Sequence, residues 1–258
     1  MGLNAPHWLI AQPIAHRGLH DARYGVVENT LAAAEGAIAQ HMAIECDVQA
    51  SADGEAIVFH DATLDRLTQS SGALSQMPTR EIRNARFRSS EERIPTFRQL
   101  LDRVAGRTPV ICEIKSRFDG DMRLAETVAQ HAVDYGGPLA LKSFDPAIIA
   151  HFRQGENLPG PHNQPCPLGI VAQAHYDDEY WSALSAVQKT NVANFLHYFE
   201  TRPDFLSYRV DDLPNATPFL LRTLSATPVM AWTVRTQAQK RLAAQWADQI
   251  VFEGDLSR

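Results

Sequence analysis

The segment Ala43-Ile44-Glu45-Cys46-Asp47-Val48 alternates apolar residues with acidic ones, which is the period-two pattern of a β-strand. A helical pattern over residues 30–40 precedes this segment, and we predict that Asn29 is the N-cap of that helix. A helix followed directly by a short, largely apolar strand is the repeating unit of a parallel α/β fold.

The same alternation of extended and helical segments recurs along the chain. The extended segments are predicted at residues 13–16, 43–48, 56–60, 109–115, 138–144, 168–172, 205–210, 228–234 and 249–252. The helices are predicted at residues 30–40, 96–105, 123–135, 146–154, 177–187, 217–226 and 237–246. This alternation over 258 residues predicts an α/β protein built as a single (β/α)8 TIM barrel, because about 250 residues is the usual length of that fold.

The sequence predicts nine extended segments, whereas such a barrel has only eight strands. The connection at residues 49–55 contains the turn signal Asp53-Gly54 and is too short for a parallel crossover. Residues 56–60 are therefore predicted to be an irregular extended segment after the second strand. A doubly wound open sheet is the competing architecture, but the chain lacks the glycine-rich phosphate-binding motifs that usually accompany it. Residues 69–94 and 155–167 are predicted as loops rather than linkers, so residues 1–258 are assigned to a single domain.

The composition argues against several classes of partner. Lys and Arg number 24 and Asp and Glu number 30, which gives a net charge of −6 and argues against binding to nucleic acid or to an anionic membrane. No run approaches the ~18 apolar residues of a membrane span, and the N-terminus lacks the features of a secretory signal, so no stable membrane anchor is expected. Three cysteines without CxxC spacing favour a reducing compartment, and we expect a cytoplasmic location.

Acidic side chains are concentrated at the ends of two early strands. Glu45 and Asp47 lie two residues apart and therefore point to the same face of their strand. Glu113 and Lys115 repeat the pattern on the segment at residues 109–115. Because parallel barrel enzymes build their sites at the carboxyl ends of strands, we expect Glu45, Asp47 and Glu113 to converge. An all-oxygen ligand set suits one divalent cation, Mg²⁺ or Ca²⁺; the alternative is buried ion pairing with Lys115 or Arg17.

Two histidines follow strands beside these carboxylates. His16 precedes Arg17 at the end of the first strand, and His60 ends the third extended segment. Histidines with a pKa near neutrality can serve as general acid and general base, while Arg17 and Lys115 can hold a substrate anion. The residues alone thus predict a metal-assisted hydrolase or lyase that acts on an anionic, phosphorylated small molecule. Isomerases and enolising enzymes use similar barrels and remain open at this point.

A series of short motifs occurs in a fixed order, mostly between residues 14 and 116. The motifs are His16-Arg17-Gly18, Glu28-Asn29-Thr30, Glu45-x-Asp47-Val48, Asp53-Gly54, His60-Asp61-x-x-Leu64-x-Arg66-x-Thr68 with Gly72, Glu113-Ile114-Lys115, Ser143-Phe144 and Trp232-Thr233-Val234. In this order they resemble the glycerophosphodiester phosphodiesterases, a family of the phospholipase-C-like barrel phosphodiesterases.

The resemblance implies an eight-stranded α/β barrel that cleaves glycerophosphodiesters to glycerol 3-phosphate and an alcohol. It implies a divalent cation at Glu45, Asp47 and Glu113, an acid–base pair formed by His16 and His60, and phosphate contacts from Arg17 and Lys115. Phe144 and Trp232 are assigned to the alcohol side of the pocket, with packing inside the barrel as the alternative. Cys46 and Cys112 are expected to face outward against the helices.

The chain departs from the family pattern at three places away from the predicted metal and histidine positions. Val27 stands where proline is frequent, Arg235 stands where asparagine is common after the Trp-Thr-Val motif, and residues 248–253 differ from the usual last strand. Two other functions remain as alternatives: a phospholipase D-type hydrolase of lysophospholipids or another phosphodiester, and a non-catalytic binder of a phosphorylated ligand. The sequence carries no signal for the headgroup, for Mg²⁺ against Ca²⁺, or for the oligomeric state.

Overall fold

A computed structural model describes residues 5–155 and 165–254. Its sheet contains nine strands, of which eight run parallel and close into a barrel because the first strand pairs with both the second and the last. The strands are β1 (Ile14–Ala15), β2 (Ala43–Ala50), β3 (Ala56–Val58), β4 (Val110–Ile114), β5 (Leu139–Ser143), β6 (Leu168–Ala172), β7 (Phe205–Arg209), β8 (Val229–Val234) and β9 (Gln249–Phe252). The predicted TIM barrel is confirmed.

Strand β3 is the predicted surplus segment. It pairs antiparallel with the end of β2, and Val48 lies opposite Val58. The turn between them passes through Gly54, whose φ of 86° suits a glycine. Ile57 of this hairpin packs with residues of the following segment, among them Phe59 and Phe87, in a second apolar cluster.

Helices surround the barrel. Those that the structure describes are α1 (Leu31–Ala39), α2 (Thr79–Asn84), α3 (Phe97–Val104), α4 (Arg123–Asp134), α5 (Pro146–Gln154), α6 (Ala186–Ala193), α7 (Tyr198–Thr201), α8 (Ala216–Ser225) and α9 (Gln237–Trp246). Six of the seven predicted helices are confirmed. Among the described residues, none of these helices combines the length and the apolar content needed to cross a bilayer.

The predicted helix at residues 177–187 is wrong. A short 3₁₀ turn occupies Glu179–Trp181, and α6 begins only after Ser185. Ser185 and Gln188 form a reciprocal capping box, which fixes the start of α6 there and ends the preceding irregular segment. Helix α2 lies inside the predicted loop at residues 69–94, and most of the predicted loop at residues 155–167 lies outside the described residues.

The predicted N-cap of α1 is also wrong by one residue. Thr30 caps the helix by accepting the backbone N–H of Ala33. Asn29 instead has a left-handed backbone with φ of 58°, and its side chain turns toward β2. There its amide donates to Asp47 Oδ2 at 3.0 Å and accepts the backbone N–H of Asp47 at 3.2 Å. Asn29 therefore fixes a carboxylate of the site.

Side chains inside the barrel form two layers of different chemistry. The lower layer is apolar and is formed by Leu9, Ile14, Ala43, Ile111, Ala140, Phe205, Met230 and Val251. Phe205 fills the space beside Gly169, where a Cβ atom would lie 2.3 Å from its ring. One pleat further along the strands the inward positions become polar, so the lower layer supports a polar layer at the carboxyl ends.

The outward positions of the same strands are apolar. Cys46 and Cys112 are neighbours in register on β2 and β4 and pack in the core between strands and helices. Both are buried free thiols, as predicted. Burial raises the pKa of Cys112 well above its ordinary value, so this thiol stays protonated at neutral pH.

Candidate active site

Three carboxylates converge at the carboxyl end of the barrel. Asp47 and Glu113 lie side by side in the register of β2 and β4, and Glu45 lies one pleat below Asp47. One oxygen from each residue lies within 4.8 Å of the others. Glu45 has 0% exposure and Asp47 has 1%, so these charges are almost entirely removed from water. Such a group requires cations close by.

Two lysines supply positive charge at this cluster. Lys115 Nζ lies 2.9 Å from Asp47 Oδ1 and 2.5 Å from Glu113 Oε1. Lys142 Nζ lies 3.0 Å from Glu45 Oε1 and 3.5 Å from Glu113 Oε2. Lys142 is not among the site residues predicted from the sequence. Its signal is a lysine inside the apolar strand β5, where a buried ammonium needs a partner.

The neighbouring cationic groups determine how Asp47 and Glu113 titrate. Burial by itself would raise the pKa of Asp47, but the charges of Lys115, His60 and Arg17 hold that pKa well below its ordinary value. Burial also works against ionisation of Glu113, and Lys115 with Lys142 lowers the pKa of this carboxyl group. Asp47 and Glu113 are therefore ionised at neutral pH.

The donor set fits a hard divalent cation. Glu45 Oε1 and Asp47 Oδ1 are buried and make no hydrogen bond of good geometry within the described part of the chain, although each faces a lysine at 3.0 Å and 2.9 Å. Carboxylate oxygens with free lone pairs are the ligands that Mg²⁺ and Ca²⁺ prefer. Glu45, Asp47 and Glu113 can therefore hold such an ion.

Arg17 lies beside the carboxylates because the backbone turns sharply after β1. Arg17 and Gly18 both adopt positive φ, 59° and 77°, and a Cβ on Gly18 would lie 2.8 Å from Ala33. The turn brings the Arg17 N–H to Glu45 Oε2 at 3.1 Å and the guanidinium Nε to 3.3 Å from Asp47 Oδ2.

The Arg17 guanidinium also joins a chain of ion pairs that reaches the β3 hairpin. Its NH1 donates to Glu28 Oε1 at 2.7 Å, and Arg66 donates to both oxygens of Glu28. Arg66 further donates to Asp61, which is the residue after His60. The segment after β3 is thereby tied to the residues at the end of β1.

Each of the two predicted histidines has a carboxylate partner at its Nδ1. His60 Nδ1 lies 2.8 Å from Asp61 Oδ1, and His16 Nδ1 contacts Glu253 Oε1. An ionised carboxylate can only accept, so each Nδ1 carries the proton. Hydrogen bonds from His16 and Arg235 outweigh burial and lower the pKa of Glu253. The prediction that residues 248–253 lie away from the histidine positions is wrong, because Glu253 reaches His16 once the barrel closes.

A cavity of about 200 Å³ opens at the carboxyl end of the barrel. It is lined by His16, Arg17, Asp47, His60, Glu113, Lys115, Lys142, Phe144, Arg209, Asp211, Trp232, Thr233 and Arg235. Eight of the nine predicted site residues line it, and the ninth, Glu45, lies beneath it. Phe144 and Trp232 pack edge to face with ring centroids 5.5 Å apart and form its apolar wall.

Comparison with known proteins identifies the family to which this site belongs. The sequence profile of the glycerophosphoryl diester phosphodiesterase family matches residues 16–252. Glycerophosphodiester phosphodiesterase 1 of Bos taurus is 27% identical over 255 residues, which cover 88% of this chain and 72% of that protein. YhdW of Bacillus subtilis is 34% identical over 250 residues, which cover 93% of each chain.

A solved structure supports the fold. A phosphodiesterase from Oleispira antarctica, determined in complex with its product sn-glycerol-3-phosphate, superposes with a TM-score of 0.73 at 20% identity and covers 95% of this chain and 93% of that one. The profile match spans nearly the whole barrel, and the YhdW match extends over both chains. The chain therefore belongs to the glycerophosphoryl diester phosphodiesterase family and is a phosphodiester hydrolase.

Proposed function

We propose that this enzyme hydrolyses water-soluble glycerophosphodiesters to glycerol 3-phosphate and an alcohol, with one divalent cation at Glu45, Asp47 and Glu113. The observation that carries the proposal is the convergence of these three carboxylates within 4.8 Å, in a cavity that His16 and His60 also line. The product found in the Oleispira antarctica phosphodiesterase, sn-glycerol-3-phosphate, is the product expected here.

The cationic side chains of the cavity bind the diester phosphate. Lys115 and Arg17 both line the cavity while remaining within 3.3 Å of Asp47, so they can add contacts to an anion above the carboxylates. Arginine offers paired N–H donors that match two phosphate oxygens. When bound, the divalent cation supplies charge neutralisation at the non-bridging oxygens of the diester.

His16 and His60 perform the proton transfers. One histidine accepts the proton of the nucleophile, and the other protonates the departing alkoxide. The carboxylates at Nδ1 leave Nε2 of each ring as the nitrogen that exchanges protons with substrate. This arrangement serves either water or the neighbouring glycerol hydroxyl as the nucleophile.

The size and lining of the cavity favour a small substrate over a lipid. A volume of about 200 Å³ with mostly charged walls suits a glycerophosphodiester of modest size, and Phe144 and Trp232 are its main apolar surface. A lysophospholipid would need a longer apolar groove for its acyl chain. The free, buried state of Cys46, Cys112 and Cys166 supports the expectation of a reducing, cytoplasmic compartment.

The test measures the hydrolysis of a panel of phosphodiesters by ³¹P NMR, with Mg²⁺ or Ca²⁺ present. Glycerophosphocholine and glycerophosphoethanolamine should yield glycerol 3-phosphate, whereas lysophosphatidylcholine should react far more slowly. Faster cleavage of lysophosphatidylcholine to lysophosphatidic acid and choline would support the phospholipase D-type alternative. Cation binding without turnover of any diester would support the non-catalytic binder.

A further inference from the structure

The cavity has a second cationic wall opposite the carboxylates. Strand β7 is separated from β2 by three strands in either direction around the barrel, so the two strands face each other across its axis. Arg209 ends β7 at an inward position, two residues beyond the inward-facing Ser207, and lies beside Trp232 in the strand register. Its side chain lines the cavity and is 41% exposed.

Arg209 has only a loose ionic partner. Its Nε lies 3.9 Å from Asp211 Oδ2, beyond hydrogen-bond distance, and the guanidinium makes no hydrogen bond with the part of the chain that the structure describes. The other carboxylate oxygen of Asp211 already accepts from Gln239 Nε2 at 2.8 Å. The five N–H donors of the guanidinium are thus available to a ligand in the cavity.

Arg235, the other arginine on this side of the cavity, does have a hydrogen-bonded carboxylate partner. Its Nε donates to Glu253 Oε2 at 2.7 Å, and Glu253 in turn holds His16. Arg235 is therefore engaged by a carboxylate of the catalytic region. Because Arg235 is hydrogen-bonded to Glu253 and Arg209 has no such bond to a described residue, Arg209 is the arginine on this side that can bind a substrate group.

We propose that Arg209 forms a subsite for an anionic group on the alcohol portion of the diester, so that the enzyme prefers diesters whose alcohol carries a carboxylate or a second phosphate. This inference rests on the proposed function. Arg209 and Trp232 line the same cavity as Lys115 and Arg17, so an alcohol substituent on a phosphate held at Lys115 and Arg17 can reach this wall. A guanidinium with unpaired donors binds carboxylate or phosphate oxygens in a bidentate manner.

Glycerophosphoserine and glycerophosphoethanolamine provide a matched pair for the test, because they differ by one carboxylate on the alcohol. Wild-type enzyme with Mg²⁺ should show kcat/KM about tenfold higher for glycerophosphoserine. Arg209→Gln should reduce this ratio to near one by losing activity on glycerophosphoserine, while its activity on glycerophosphoethanolamine changes little. Arg222→Gln is the control, since Arg222 pairs with Asp248 outside the cavity and should leave both rates unchanged.

A second variant tests the same subsite in the opposite direction. Asp211→Asn removes the nearby negative charge and should increase the preference for glycerophosphoserine. Equal kcat/KM for both diesters in the wild type would overturn the inference. An equal loss on both diesters in Arg209→Gln would also overturn it, because Arg209 would then contact the common glycerophosphate portion or support the fold. Failure of every diester to react with either Mg²⁺ or Ca²⁺ would instead overturn the proposed function itself.

Discussion

Glu253 holds His16 by accepting the hydrogen of its Nδ1, although the two residues lie at opposite ends of the chain and meet only because β9 pairs with β1. Arg235 donates to the second oxygen of Glu253 at 2.7 Å and so fixes the carboxylate in turn. The His16 ring is oriented with its Nε2 3.8 Å from Glu45 Oε2. The residue directly after the last strand thereby sets the tautomer and orientation of a histidine directly after the first strand.

Replacing Glu253 should impair the role proposed for His16 without removing a group that touches substrate. Glu253→Ala should lower kcat by about 10- to 100-fold with little change in KM, because the ring loses its orientation and its preferred tautomer. Glu253→Gln keeps an acceptor oxygen and should retain more activity. Steady-state kinetics on glycerophosphocholine measures kcat and KM for both variants. A rise in KM of similar size with unchanged kcat would indicate that Glu253 acts in substrate binding instead.

The histidines themselves should have larger effects. His16→Ala and His60→Ala should each lower kcat by about 10²- to 10⁴-fold, the usual contribution of a positioned acid or base. His151→Ala, on the exposed side of α5, is the matched control and should behave as the wild type. Near-normal turnover in either site variant would remove that histidine from the mechanism.

Lys142 should stabilise the metal-free protein. Lys142→Met leaves the buried Glu45 carboxylate with one cation fewer, and removing one member of a buried ion pair typically costs about 3–5 kcal/mol in the free energy of unfolding. Saturating Mg²⁺ should restore more stability to the variant than to the wild type, because the divalent cation then compensates the same carboxylates. Urea unfolding with EDTA or Mg²⁺ measures this difference, with Lys189→Met on α6 as the control. An equal loss under both conditions would contradict this role.

Much of the architecture could be predicted because its signals are local. The alternation of apolar and acidic residues in β2 and the repeated strand–helix pattern depend on near neighbours, and the register then brought Asp47 beside Glu113 as expected. The start of α6 was missed because the acidic residues before it resemble a first helical turn, whereas the capping box at Ser185 determines where the helix begins.

The rest of the site depends on contacts between distant segments. Lys142 faces Glu113 only through the register of β4 and β5, and Glu253 reaches His16 only once the barrel has closed. Asn29 resembled a helix cap in sequence, yet its left-handed backbone turns its amide to Asp47. Such partners follow from pairing across the sheet, which motif spacing along the chain does not encode.

His197 should make stability depend on pH. Burial lowers the pKa of this imidazole to about 4, and a backbone hydrogen bond and the nearby carboxylate of Glu200 oppose the shift only in part. In the unfolded chain the pKa is about 6.5, so the unfolded state binds the proton first as the pH falls. The stability that His197 contributes is therefore complete above about pH 6.5 and decreases between pH 6.5 and 4.

The size of this pH dependence follows from the difference between the pKa of His197 in the folded and unfolded states. Between pH 7 and pH 4 the free energy of unfolding of the wild type should fall by about 3 kcal/mol more than that of His197→Gln. Urea unfolding of both proteins across this pH range provides the measurement. Parallel pH profiles for the two proteins would show that His197 is not the titrating group.

The most direct test of the account is the release of glycerol 3-phosphate from glycerophosphocholine by EDTA-treated enzyme, before and after Mg²⁺ or Ca²⁺ is restored separately. Release should stop after EDTA treatment and return with at least one cation. Folded Asp47→Asn should not recover under the same conditions, because a ligand of the cluster is lost. Undiminished release by enzyme shown to be free of metal would contradict the proposed cation site.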